Sequence, residues 1–161
     1  GSRCGRRGEL MTTEESLITD DLRNAVGVES EEAIYEVEKG AIIRFAKAIG
    51  DSNPLFQEDV EARQSRYGGI IAPPTFFRTM QPGPARVKAS SPLSRTLDGG
   101  SEWDFFEAVH PGDRIAVTNS LKEVVQRSGR LGQMIIMTRE TKYVNQFGQV
   151  VALQRSTGIS Y

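Results

Sequence analysis

An acid-rich turn is the first place in the chain where residue types and spacing suggest chemistry. The stretch GDSNPLFQED, residues 50–59, places an aspartate, an asparagine and a proline directly after an apolar segment. A carboxylate held in such a turn can exchange protons with water or with a substrate carbon. Asp and Asn also favour turns for structural reasons, because their side chains hydrogen-bond to nearby backbone. Asp51 is therefore a candidate catalytic residue and Asn53 a candidate substrate-binding residue, with a structural turn as the alternative for both.

The sequence lacks the residues that metal sites and nucleophilic triads usually need. The only histidine is His110 and the only cysteine is Cys4. One imidazole and one thiol argue against a transition-metal site and against most nucleophilic triads. His110 precedes Pro-Gly-Asp between two predicted strands, so we interpret it as a turn histidine, with catalysis as the alternative. We expect no metal and no cofactor.

Composition sets the class of protein. The chain has 161 residues, of which 38% are hydrophobic and 25% charged, with a formal net charge of −1, as in an ordinary globular domain. Neither a basic surface for nucleic acid nor an apolar run long enough to cross a membrane is evident. We expect residues 1–10 to be a cloning remnant that contains Cys4, and residues 11–161 to form one domain. The absence of a native cysteine and of a signal peptide favours the cytoplasm.

The candidate residues need elements to position them. Apolar residues at helical spacing predict helices over 12–27, 38–50, 58–69 and 75–80, with a short strand between the first two. Residues 81–100 are rich in proline and glycine and predict a long loop. Alternating patterns then predict antiparallel strands over 101–109, 114–127, 133–145 and 150–161.

This order of elements predicts an α+β fold. Strands this long must twist and curl. The apolar segment Thr75–Met80 is the best candidate to lie inside the curled sheet. Strand 114–127 should place Ile115, Val117, Leu121 and Val125 on one face.

Three blocks carry a family resemblance. GDSNPL, RYGGIIAPPTF and GGSEWDFFEAVHPGDRI, in this order, resemble the MaoC-type dehydratases, specifically the N-terminal-type half of members with two hot-dog domains. The resemblance runs from about Tyr35 to the end of the chain. It implies a hot-dog fold, in which a curled antiparallel sheet wraps around a central helix and two such units pair. It also implies an acyl-CoA or acyl carrier protein thioester as ligand, and reversible hydration of a 2-enoyl thioester to the (R)-3-hydroxyacyl product.

That reaction needs a base for water, an acid for the α-carbon and a donor for the thioester oxygen. The related hydratases use an Asp and a His in the pattern G-D-x-N-P-L-H, and backbone N–H groups at the start of the central helix. Here Phe56 stands at the His position, and Pro73-Pro74 replaces a common His-Gly pair. The resemblance therefore makes Asp51 the catalytic candidate. Its substrate-binding candidates are Asn53, Phe56, Gly68, Gly69, Thr75 and Phe76, although the two glycines could equally just end a helix.

These departures lead to a functional hypothesis. The chain should shape the acyl pocket of a hydratase or dehydratase while a second hot-dog chain supplies the Asp/His pair. One alternative is a self-sufficient homodimeric hydratase that uses Asp51, and another is a non-catalytic acyl-CoA-binding protein. Residues 81–100 should shape the acyl end of the pocket.

Overall fold

The computed structural model describes residues 16–130 and 132–161 and shows a curled, five-stranded antiparallel sheet with short helices packed against it. The remnant expected at residues 1–10 and the first four residues of the helix predicted from Thr12 lie outside the described residues. The helices are α1 (Asp20–Ala25), α2 (Lys39–Ala48), α3 (Asp59–Gln64) and two 3-10 helices (Pro54–Phe56 and Pro74–Thr79), and the strands are β1 (Ala33–Glu36), β2 (Thr96–Phe105), β3 (Arg114–Gly129), β4 (Gly132–Val144) and β5 (Val150–Ser160).

The strand order is β1-β3-β4-β5-β2, and every neighbouring pair is antiparallel. The α+β, hot-dog class expected from the sequence is thus confirmed. The three long strands β3, β4 and β5 occupy the middle of the sheet, whereas β1 and β2 form its edges. A register shift between Leu121 and Glu123 changes the side-chain alternation of β3. Val124, and not the predicted Val125, consequently packs beside Leu121.

Helix α2 forms as its apolar spacing predicts. Ile42 and Ala46 lie on its buried face, and Phe45 meets Phe76 edge to face with ring centroids 5.5 Å apart. Gly50 follows the helix with a φ of +72°, a conformation that glycine adopts without strain. The chain therefore turns sharply into the GDSNPL segment.

The segment predicted to lie inside the sheet does so, but as a 3-10 helix and not as an α-helix. Pro73 and Pro74 have no N–H, and the Phe76 N–H donates to the Pro73 carbonyl at 2.9 Å, which sets the tighter three-residue spacing. The Phe77 ring reaches the sheet, with its centroid 5.1 Å from that of Tyr143 and 5.5 Å from that of Phe105. This segment is thereby fixed against β2 and β4.

The predicted loop 81–100 is shorter than expected, because β2 begins at Thr96 and ends at Phe105. Gly99 and Gly100, which favoured a loop, instead form an irregularity within the strand. The strand register shifts between Asp98 and Ser101, and Gly100 has a φ of +104°. In the remaining loop, Ala89 and Leu93 pack against the cluster that contains Leu22 and Leu121. The loop therefore covers the sheet around Leu121 of β3 and Ile135 of β4.

No helix within the described ranges is long and apolar enough to cross a membrane.

Candidate active site

A cavity of about 640 Å³ lies where both 3-10 helices, the turn after α3 and the segment that joins β2 to β3 meet. Most of its wall is apolar or aromatic, as is typical of pockets for small organic ligands. None of residues 81–100 contributes to this wall, and the expectation that the long loop shapes the acyl end of the pocket stays a prediction. The lining residues are Asn53, Leu55, Phe56, Arg66, Tyr67, Ile71, Ala72, Pro74, Phe77, Phe105, Phe106, Glu107, Ala108, Val109 and His110.

Asp51 is absent from that wall, and its side chain has a structural partner. The Asp51 Oδ1 accepts the Asn53 N–H at 3.0 Å, and the Asn53 Oδ1 accepts the Leu55 N–H at 3.1 Å. Gln57 donates from its side chain to the Asp51 carbonyl oxygen at 2.5 Å. The acid therefore caps a turn that leads into the first 3-10 helix. A role for Asp51 in proton transfer stays a prediction.

Phe56 occupies the His position of the hydratase pattern with an apolar ring. It lines the cavity, is only 7% exposed, and packs in a cluster with Ala46 and Ile71. An imidazole at this position could exchange a proton with a ligand, and a phenyl ring cannot. Phe56 thus contributes shape and hydrophobic surface. Asn53, the other predicted binding residue of this turn, also lines the cavity.

The predicted glycines and the start of the second 3-10 helix flank the wall. Gly68 has a φ of +71° and donates its N–H to the Ser65 carbonyl at 3.1 Å, in the turn that follows α3. A Cβ added at Gly69 would meet open space. The Phe76 N–H is engaged by Pro73, whereas the Thr75 N–H makes no hydrogen bond to the described residues. Thr75 is therefore the N–H donor that remains available next to the lining residue Pro74.

His110 is the site residue that sequence reasoning did not select. It lines the cavity and is partly buried, and its Nε2 lies 2.9 Å from the Tyr67 carbonyl oxygen. The His110 N–H donates to the Asp113 Oδ2 at 2.8 Å, which fixes the HPGD turn. In the sequence, the HPGD stretch indicated only that His110 lies in a turn between two strands. Only the fold shows that this turn borders the pocket.

Charged groups occupy the rim of the cavity. The Arg66 guanidinium donates to the Tyr67 hydroxyl at 2.5 Å and lies 4.7 Å from the centroid of the Tyr67 ring. Glu107, an exposed carboxylate, lies on the segment between β2 and β3. Within residues 16–130 and 132–161, no group of three or more His, Cys, Asp or Glu side chains is placed to hold a metal ion.

Solved structures place this architecture among the MaoC-like dehydratases. A MaoC-like dehydratase from Rhodospirillum rubrum shares 27% identity with the chain and a TM-score of 0.66, over 85% of this chain and 92% of the other. A chain of the ChsH1-ChsH2 complex from Mycobacterium tuberculosis has the same fold, with 22% identity and a TM-score of 0.71 over 88% and 91% of the two chains. The fold and pocket thus define a hot-dog protein of the dehydratase and hydratase class.

Sequence comparison identifies the family. The family model described as "FAS1-like, dehydratase domain region" matches residues 24–154, and the chain belongs to this family. A UPF0336 protein from Streptomyces avermitilis is 31% identical over 100 residues, which cover 59% of this chain and 67% of that protein. A probable enoyl-CoA hydratase alpha subunit from Thermomonospora curvata is 26% identical over 132 residues, which cover 71% of this chain but only 41% of that protein.

Proposed function

We propose that this chain is a subunit of an acyl-thioester hydratase or dehydratase, which interconverts a 2-enoyl thioester of coenzyme A or acyl carrier protein and the (R)-3-hydroxyacyl thioester. In this proposal the chain forms the acyl pocket, and a second hot-dog chain supplies the Asp/His pair. Family membership supports the reaction class. The Thermomonospora curvata relative, named as an alpha subunit of a probable enoyl-CoA hydratase, supports a multi-subunit enzyme.

The observation that carries the proposal is a ligand-sized, largely apolar cavity from whose wall the Asp/His pair of the hydratase pattern is missing. Phe56 lines it where the hydratases have histidine, and the carboxylate of Asp51 is engaged with the Asn53 N–H. Hydration needs a base for water and an acid for the α-carbon. The walls of this cavity bind and orient an acyl chain, so both proton-transfer groups are left to the partner.

The chain's own contributions follow from its contacts. Phe56, Phe77 and Ile71 bury the apolar part of the acyl group, which removes it from water. The Thr75 N–H is the candidate donor to the thioester oxygen, on which negative charge develops during the reaction. Arg66 lies at the rim, where it can pair with an anionic part of the thioester carrier.

The edge strand β2 offers a surface for the partner. All but one of its ten residues are exposed, and none of the other described strands pairs with its outer side. Phe105 and Phe106 are exposed beside the cavity mouth, at 46% and 55%. Pairing at this edge would satisfy backbone groups and cover both rings. The ChsH1-ChsH2 complex is a two-component assembly with this fold.

The decisive experiment compares the purified chain with its complex. Hydration of crotonyl-CoA and of longer enoyl-CoAs is measured for the chain alone, for a MaoC-type chain from the same organism, and for the two co-expressed. We expect turnover to need the MaoC-type chain and its acyl-length preference to change when this chain is added. Robust turnover by this chain alone would contradict the proposal.

His110 favours a second candidate, the self-sufficient homodimeric hydratase. Its imidazole lies in the cavity wall, and the Glu107 carboxylate lines the same cavity. Under this alternative the isolated chain is active, and His110→Asn reduces kcat at least tenfold without lowering Tm. Stabilisation by CoA esters without turnover in any pairing would instead indicate a binding protein.

A further inference from the structure

A second cavity, of about 160 Å³, lies at the end of the second 3-10 helix and shares no lining residue with the large one. Strands β4 and β5 contribute Thr141, Tyr143 and Gln154, and the end of the 3-10 helix with the following residues contributes Arg78, Met80, Gln81 and Pro82. Its volume exceeds the roughly 30 Å³ that one water occupies in the liquid. The wall contains an arginine, two hydroxyls and two amides, but no carboxylate.

Arg78 has no acidic partner. None of the salt bridges or side-chain hydrogen bonds among the described residues involves its guanidinium. An arginine offers five N–H donors in a planar fork that matches a carboxylate. Arg78 is exposed at its side of this polar cavity, so its guanidinium is accessible to one negatively charged group.

Tyr143 supplies an independent observation. The residue is only 2% exposed, and its hydroxyl, which donates to no described residue, keeps some accessible surface at the cavity. Burial raises the pKa of Tyr143 to about 12, and the nearby Arg78 guanidinium partly opposes that rise. The phenol is protonated at neutral pH, as tyrosines ordinarily are, and can donate its hydrogen into the cavity. Thr141, whose Oγ1 already accepts from the Asn119 side chain at 2.9 Å, can also donate.

We propose that this second cavity is a carboxylate-binding site, in which Arg78 pairs with the carboxylate and the Tyr143 hydroxyl donates to one of its oxygens. A monocarboxylate matches the single cation of the wall. The carboxylate could belong to a separate small acid. It could also be the far end of an acyl chain that passes Phe77, the ring that lines the large cavity and contacts Tyr143; that source rests on the proposed function.

The test uses NMR of protein labelled with 13C at the tyrosine Cζ, since the chain has only four tyrosines. Tyr143→Phe assigns the signal. Sodium propionate is titrated at constant ionic strength, with propionamide and sodium phosphate as comparators. We expect a saturable shift of the Tyr143 signal with propionate, in the millimolar range of so small a ligand, and with neither comparator. Arg78→Gln should abolish saturation, whereas Arg63→Gln, an exposed arginine of α3 outside both cavities, should leave it unchanged.

A second arm identifies the source of the carboxylate. An enoyl-CoA that ends in a carboxylate is compared with crotonyl-CoA, which lacks it. Propionate tests the site whatever the source of the carboxylate, so the thioesters decide between the sources. A Tyr143 shift with the carboxylate-ended thioester and not with crotonyl-CoA assigns the site to the acyl end of a substrate, whereas a shift with propionate and with neither thioester assigns it to a separate acid. The proposal is overturned if neither carboxylate moves the signal, if propionamide or phosphate moves it equally, or if Arg78→Gln binds as the wild type does. None of these readouts depends on turnover, so failure of the proposed hydratase function would be seen separately.

Discussion

At the scale of single residues, the turn at Asp51 shows how one motif can serve structure or chemistry. The Asp51 carboxylate accepts the backbone N–H of Asn53, two residues later. The Asn53 side-chain oxygen accepts the backbone N–H of Leu55 in the same way. Both contacts need only an acceptor oxygen. An amide can provide that oxygen, but an amide cannot act as a general base at neutral pH. Substitution therefore separates the two roles.

We expect Asp51→Asn to keep the fold and to change the turnover of the proposed two-chain enzyme by no more than about twofold, because the amide oxygen still accepts the Asn53 N–H. Asp51→Ala should lower the free energy of unfolding by about 1 kcal/mol, the usual net value of one such hydrogen bond. Denaturant unfolding and hydration assays measure the two effects. A loss of turnover of about 100-fold or more in a stable Asp51→Asn enzyme would instead assign proton transfer to Asp51.

Tyr143 leads to a prediction about alkaline pH. Burial raises its folded pKa to about 12, whereas the unfolded value is 10.0. Between these values the unfolded chain releases the tyrosine proton before the folded chain does, so the free energy of unfolding falls as pH rises. The full loss approaches about 2 to 3 kcal/mol. Urea unfolding at pH 9 and pH 11 should show a clearly smaller decrease for Tyr143→Phe than for wild type. An equal decrease in both proteins would contradict this account.

At the scale of elements, close backbone contact holds the loop after the second 3-10 helix. The Glu31 N–H donates to the Pro84 carbonyl at 2.9 Å. A Cβ at Gly83 would lie 2.3 Å from the Glu31 carbonyl oxygen, which is far below any real contact. The segment before β1 and the loop are thus joined backbone to backbone. Only glycine allows this approach without a shift.

Gly83→Ala should therefore lower the free energy of unfolding by about 1 to 3 kcal/mol, the typical cost of overpacking. Gly158→Ala is the matched control, since a Cβ there meets open space and the φ of this residue is not positive. Thermal and urea unfolding measure both variants. Equal stability of the two would mean that the loop moves away from Glu31 at no cost.

The elements that the sequence predicted well are those in which apolar side chains recur at a regular spacing over ten or more residues. Strands β3, β4 and β5 and helix α2 formed within a few residues of their predicted ends. The errors lie where backbone geometry overrides side-chain pattern. Gly99 and Gly100 indicated a loop but form an irregularity inside β2, and Pro73 and Pro74 turned a predicted α-helix into a 3-10 helix.

The candidate site was harder to predict, because the cavity is formed by segments that are distant in sequence. Asn53 and Phe56 could be selected from a local motif, and both line the cavity. His110 could not, because nothing in its neighbours shows that its turn lies beside Tyr67. Three-dimensional juxtaposition, and not local sequence, determines which polar residues border the pocket.

At the scale of the whole molecule, the exposed edge of β2 leads to a prediction about assembly. Leu97 lies on this strand, 46% exposed and away from the cavity wall. A lysine at an edge position opposes strand pairing because its charge must remain hydrated. We expect Leu97→Lys to weaken the proposed two-chain complex at least tenfold and to leave the stability of the isolated chain within about 0.5 kcal/mol.

Analytical ultracentrifugation of mixed chains gives the dissociation constant. Val60→Lys is the matched control, because Val60 is an exposed apolar residue on α3 and not on a sheet edge. Unchanged association of Leu97→Lys would place the partner on another surface, whereas weakening by both variants would indicate a general effect of added charge.

The bare side of β2 also has a consequence for how such a protein must be made in a cell. β2 pairs with β5 on one side only, ends in the exposed Phe105 and is followed by the exposed Phe106, so its outer edge favours pairing with other strands. If the proposed partner chain pairs at this edge, copies of this chain in excess over the partner would associate with one another or be degraded. Matched synthesis of the two chains would then be needed for the proposed complex to assemble.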